Sequence, residues 1–95
     1  MKIEVIIEEQ PLNFIRRQSP DARKSLRAAI HRIERGETFP VPLRDELDGF
    51  YKIRVENCRL ILKHESGESA PLFKVVFIER RGVVYEMFRQ ILNLE

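Results

Sequence analysis

Between residues 52 and 63 four cations alternate with apolar side chains on either side of a polar pair: Lys52 and Arg54, then Glu56-Asn57, then Arg59 and Lys63. If a two-residue turn at Glu56-Asn57 joins two strands, Val55 faces Cys58, Arg54 faces Arg59, Ile53 faces Leu60 and Lys52 faces Ile61. Side chains alternate across a strand, so Lys52, Arg54, Arg59 and Lys63 share one face while Tyr51, Ile53, Val55, Cys58, Leu60 and Leu62 share the other. Opposed like charges cost a strand pair roughly a few tenths of a kcal/mol or more. Arg54 and Arg59 are therefore dispersed in solvent, matched by acids from elsewhere, or held for a polyanion. Glu79-Arg80-Arg81-Gly82 adds two guanidinium groups just before a last apolar-periodic segment, in which Tyr85 has Arg81 and Arg89 one turn to either side. A tyrosine framed by arginines can stack on a base and exchange a proton near a phosphate; it can equally sit half-buried with its hydroxyl in water.

Other chemistries fit the sequence poorly. The single cysteine, Cys58, excludes an internal disulfide framework, and with only His31 and His64 it makes no zinc site. Cys58 reads as a small packed hydrophobe, His31 as a solvent-exposed helix residue and His64 as structural or exposed. Glu37, Asp45, Glu46 and Asp48 lie on a Pro-interrupted loop without ligand spacing and read as solvated charges that pair with nearby arginines. No metal and no cofactor is expected.

The elements that must position these residues follow from period and punctuation. Lys2 to Glu8 reads as a strand buried on much of both faces, and Pro11 to about Gln18 as a short helix. Ser19-Pro20-Asp21 supplies a cap, a first-turn proline and an acid for a second helix, whose apolar stripe Ala22, Leu26, Ala29, Ile30 and Ile33 runs to Gly36. Glu37 to Gly49 reads as a loop with one helical turn. The 52–63 hairpin follows, then a polar gap from Glu65 to Ala70 containing Gly67, then the apolar strand Leu72 to Ile78. Val84, Met87, Phe88 and Ile91 mark the apolar face of a C-terminal helix. The predicted fold is α+β in the order β-α-α-β-β-β-α: a small mixed, mostly antiparallel four-stranded sheet, an N-terminal helical hairpin packed on it and a short last helix.

Composition bounds the reading. Ninety-five residues, 43% hydrophobic and 34% charged, make one domain spanning 1–95. A fold of this size buries only roughly 60–65% of its unfolded surface, so it has room for one sheet with helices on one face and none for a deep cleft. No apolar run approaches the roughly 18 residues that a membrane span needs. Met1-Lys2-Ile3-Glu4-Val5 puts an acid where a signal peptide is apolar, so the chain reads as soluble and cytoplasmic, with no membrane partner. The net charge is only +2, yet Arg outnumbers Lys among the 17 cations, and the planar guanidinium fork favours phosphate-bearing partners.

Leu47-Asp48-Gly49-Phe50-Tyr51-Lys52-Ile53-Arg54, then Cys58-Arg59-Leu60-Ile61-Leu62, then Arg81 with Val84-Tyr85, resembles the RelE/ParE toxin superfamily of type II toxin-antitoxin systems. The element order resembles that family's plan over essentially the whole chain. RelE-like members cut messenger RNA on the ribosome without a metal, whereas ParE-like members poison DNA gyrase. The resemblance implies a catalytic set of Lys52, Arg54, Arg59, Arg81 and Tyr85, with Lys63, Arg80 and Arg89 as further RNA contacts. It implies attack of the 2′-hydroxyl on the adjacent phosphate, giving a 2′,3′-cyclic phosphate and a free 5′-hydroxyl. Lys52 is the first candidate for activating that hydroxyl, Arg59 and Arg81 for holding the phosphorane, and Tyr85 for stacking on the neighbouring base. Glu79-Arg80 stands where the family often has Gly-His, and Arg54 where RelE-like enzymes commonly have lysine. Arginine grips phosphate but hardly gives up its proton near neutrality, which leaves Lys52 and Tyr85 for proton transfer. The implied partners are a cognate antitoxin, mRNA and the ribosome; the alternatives are a gyrase inhibitor without nuclease activity, with DNA gyrase as target, or a non-toxic RNA-binding relic of the fold. The implied assembly is a monomer or a toxin-antitoxin hetero-oligomer.

Overall fold

The computed structural model describes residues 2–66 and 70–93. Its elements are β1 (Glu4–Ile7), α1 (Glu9–Arg16), α2 (Pro20–Glu34), β2 (Val41–Pro42), a 3-10 turn (Asp45–Leu47), β3 (Phe50–Val55), β4 (Cys58–Ser66), β5 (Pro71–Arg80) and α3 (Val84–Asn93). The sheet order is β1-β5-β4-β3-β2; β1 runs parallel to β5 and every other pair is antiparallel. No described helix is long and apolar enough to cross a membrane.

The α+β architecture and the element order agree with the sequence reading. Ser19 caps α2 by accepting the Ala22 N–H at 3.3 Å. Gly36 ends that helix at φ 72°. There the Gly36 N–H donates to Ile33 and the Glu37 N–H to Arg32, closing the last carbonyls. The gap between β4 and β5 is shorter than expected, since Ser66 still pairs with Pro71; Gly67 lies outside the described residues.

Three features differ. Val41–Pro42 forms a fifth strand against Lys52 and Tyr51, too short to show a period and placed at an edge, where a proline lacking an N–H is tolerated. Strand β1 is the other edge and is half-exposed, with Ile6 in solvent, because only β5 flanks it. Most importantly, helices cover both faces of the sheet. Helices α1 and α2 bury Phe14, Ile15, Leu26, Ile30 and Ile33 against the face carrying Ile53, Val55, Leu60 and Leu62. Alternation then turns Ile61 to the opposite face, where α3 packs Val84 and Phe88 on it with Phe77 and Leu47. Phe50 meets Phe88 edge-on at 5.0 Å in this second core. The buried stripe of α3 is thus Val84 and Phe88 flanked by Tyr85 and Leu92, while Met87 and Ile91, expected inside, remain in solvent with Val83.

One polar device links the layers. Where β1 stops, the Gln10 side chain of α1 takes its place on the β5 edge: its Nε2 donates to the Ile78 carbonyl and its Oε1 accepts the Ile78 N–H, both at 2.9 Å.

Candidate functional site

The hairpin register is Val55 with Cys58, Arg54 with Arg59, Ile53 with Leu60 and Lys52 with Ile61. Lys52, Arg54, Arg59 and Lys63 therefore share the face on which α3 lies. Arg54 is exposed, while Lys52 and Arg59 are half-buried. Arg59 is tied back onto the turn: its Nη1 donates to the carbonyls of Cys58 at 2.9 Å and Glu56 at 3.3 Å. Glu56 occupies the turn at φ 53°, and its carboxylate accepts a hydrogen bond from the Ser25 hydroxyl at 2.9 Å, which clips the turn to α2.

Two residues arrive from the end of β5. The Arg81 N–H donates to the Asn57 carbonyl at 2.8 Å, so the backbone of Arg81 is fastened to the hairpin tip. Tyr85, in the first turn of α3, packs part of its ring against the second core. Together Lys52, Arg54, Arg59, Arg81 and Tyr85 line a single open concavity of about 690 Å³. None of these four cations forms an ion pair among the described residues. Among the described residues no carboxylate comes within ion-pair distance of the like charges across the hairpin, although Glu79 stands opposite Arg59 in register.

The far wall of the concavity escaped the sequence reading. It consists of Thr38, Phe39 and Val41, with Phe39 64% and Val41 52% exposed. These residues sit in the Pro-punctuated stretch after α2, where nothing in residue type or period says which way a side chain faces. The remaining expected contacts are scattered. Lys63 shares the sheet face but stands further along, between Phe50 and Lys74. Arg80 pairs with Cys58, which turns it to the α2 side, where with Cys58 and Arg81 it lines a smaller hollow of about 380 Å³. Arg89 is engaged by Glu46, Nε to Oε2 3.0 Å.

The other titratable side chains are structural or peripheral. The His64 ring packs at a tilt against Phe73 with centroids 5.0 Å apart, His31 bonds Glu34 at 2.8 Å, and Arg35 pairs with Glu37 at 2.7 Å. Burial, aided by the charge of Glu79, pushes the Cys58 thiol up. Among the described residues, no group of three or more His, Cys, Asp or Glu side chains is placed to hold a metal ion.

No protein-family model matches the chain. No curated protein matches it either. Solved structures do. The YoeB/ParE toxin from Agrobacterium tumefaciens superposes with a TM-score of 0.63 at 14% identity, covering 82% of this chain and 98% of that one. A chain of the toxin-antitoxin complex RelBE2 from Mycobacterium tuberculosis gives 0.62 at 17% identity, over 85% and 100%. A chain of the RelB-RelE antitoxin-toxin complex from Methanococcus jannaschii gives 0.58 at 15% identity, over 87% and 98%. The chain has the RelE/ParE toxin fold.

On this RelE/ParE fold the concavity opens where β3, β4, the β5–α3 turn and the β2 loop meet. Its chemistry is legible from the side chains alone. Guanidinium groups without a paired acid are able to grip a phosphate in two places and to favour a more highly charged state of it over a less charged one. An amine and a phenol stand beside them as the groups able to exchange protons. An aromatic and an aliphatic side chain on the far wall offer flat apolar surface to a base.

Proposed function

We propose that this protein is the toxin of a toxin-antitoxin pair and that the concavity is a metal-independent endoribonuclease centre. The observation that carries the reading is the meeting of Lys52, Arg54, Arg59, Arg81 and Tyr85 around one open hollow with no acid paired to the cations among the described residues. A surface that served only to bind a protein would have no need to gather phosphate-gripping and proton-exchanging groups at one point. The RNA 2′-oxygen attacks the adjacent phosphorus as its proton passes to a base, for which Lys52 is the first candidate. The bond from phosphorus to the 5′-oxygen then breaks, and that oxygen takes up a proton. The products are a 2′,3′-cyclic phosphate and a 5′-hydroxyl. Arg59 and Arg81 act most strongly on the phosphorane, because its extra charge is what their fixed donors meet. Tyr85 orients the scissile group and supplies the second exchangeable proton.

The substrate in this reading is messenger RNA on the ribosome, and the neutralising partner is a cognate antitoxin whose acidic segment covers the same cations. The antitoxin complexes among the structural neighbours support that partner. Induced expression in a bacterial host with primer extension on abundant transcripts tests the proposal. The expected result is growth arrest with new, codon-positioned cleavage ends from the native chain, lost in Lys52→Ala and Tyr85→Phe. Growth arrest without transcript cleavage, insensitive to both substitutions, overturns the nuclease reading and points to a target such as DNA gyrase.

A further inference from the structure

Charge on this molecule is segregated far more than its net value of +2 suggests. The concavity does not end at Arg54. That residue also lines a second hollow, of about 370 Å³, shared with Lys24 and Arg32 of α2. Lys24 in turn lines a third, of about 410 Å³, with Arg23 and Arg27. Successive hollows share lining residues, Arg54 first and then Lys24 with Ala28, so together they lead from the site, past the hairpin tip and along α2. Among the described residues the only acid lining this track is Glu56, whose carboxylate accepts a hydrogen bond from the Ser25 hydroxyl. Lys24, Arg27 and Arg32 are exposed and form no ion pair among the described residues. From Lys24 to Arg32 they run about 12 Å along the helix axis.

We infer that this α2 track binds the single-stranded RNA leading away from the cleavage site, with Arg54 as the shared contact at which site and track join. The assignment of RNA as occupant rests on the reading of the site as an RNA-cleaving centre. An acidic protein segment fits less well. Among the described residues the exposed large apolar side chains are Ile6, Phe39, Val41, Val83, Met87 and Ile91, and none of them lies on α2. A docking helix or strand would find nothing there to bury, whereas a phosphate backbone needs only fixed charge. Arginine adds the two-pronged fit to phosphate that a carboxylate-bearing peptide shares only where its own side chains line up.

The test is binding of the full-length protein to a fluorescent 2′-O-methyl oligonucleotide of about a dozen residues, which cannot be cut, over a range of salt concentrations. Each phosphate neutralised on a single strand contributes about 0.7 to the slope of log affinity against log salt. Replacing Lys24, Arg27 and Arg32 together by Gln is expected to flatten the slope by about 2, which weakens binding by about a hundredfold at about 0.1 M salt. A control with Arg16, Arg17 and Arg44 replaced by Gln removes the same net charge away from the track and is expected to retain the native slope. Circular dichroism confirms that both variants are folded. An unchanged slope in the α2 variant, or an equal loss in the control, overturns the track. Tighter binding to polyglutamate than to an RNA of equal charge overturns RNA as its occupant. Failure of the nuclease reading looks different: the oligonucleotide binds with the predicted α2 dependence, while induced expression of the native chain yields no new transcript cleavage ends.

Discussion

At the scale of single residues, the site is governed by what each side chain is prevented from doing. Arg59 is held by two backbone carbonyls and does not swing onto Glu79, so one guanidinium edge remains committed to the turn and the rest is presented to the concavity. Arg89, by contrast, is engaged by Glu46 on the surface, an exposed pair worth at most about 1 kcal/mol. Cys58 shows the same logic for a nucleophile. Its thiol is pushed up by burial first and by Glu79 second, and thiolate, not thiol, reacts with alkylating agents. Iodoacetamide is therefore expected to modify Cys58 more slowly than it modifies glutathione at pH 8, with the rate still rising at more alkaline pH. Mass spectrometry of timed samples checks this, and a rate equal to that of glutathione would contradict the burial argument. The paired cations of the hairpin were legible from sequence because alternation and a two-residue turn leave only one register. Phe39 was not, because its exposure depends on how the chain turns after α2.

At the scale of elements, most of the fold was readable wherever a period or a cap exists. The Ser19-Pro20 start, the Gly36 stop and the register of β3 with β4 all follow from local chemistry. What could not be read was pairing between distant segments: a two-residue strand, and the face chosen by α3. The amphipathic stripe of α3 is wide enough to be buried along either edge, and it is the ring pair of Phe50 and Phe88 that fixes the choice. The Gln10 clasp was equally hidden, since a glutamine in a short helix announces no partner. Its removal makes an element-level prediction. In Gln10→Ala the Ile78 N–H and carbonyl lose their partners at a position that is fully buried. The expected cost is about 1–3 kcal/mol. For a chain of this size each kcal/mol lowers the melting temperature by roughly 4–8 °C, which a thermal melt followed by circular dichroism resolves.

At the scale of the whole molecule, the two faces of the sheet are unequal. The α1–α2 face buries a large contiguous core, whereas α3 holds on through Val84, Phe88 and their few neighbours. Leu60→Ala and Phe88→Ala each remove a buried side chain and are expected to cost about 2–5 kcal/mol. Their consequences differ: the first weakens the global fold, and the second chiefly loosens α3, so hydrogen exchange in Phe88→Ala should rise in α3 well before it rises in β4 or β5. Uniform acceleration across the chain would contradict this division. The fastening of the Arg81 backbone to Asn57 gives the division a further meaning. Arg81 belongs to the sheet, while Tyr85, only four residues later, travels with the helix. On warming, the grip on phosphate should therefore outlast the positioning of the phenol. If the concavity cleaves RNA as proposed, there is a band of temperatures in which the protein still holds the strand but no longer severs it, a capture without a cut.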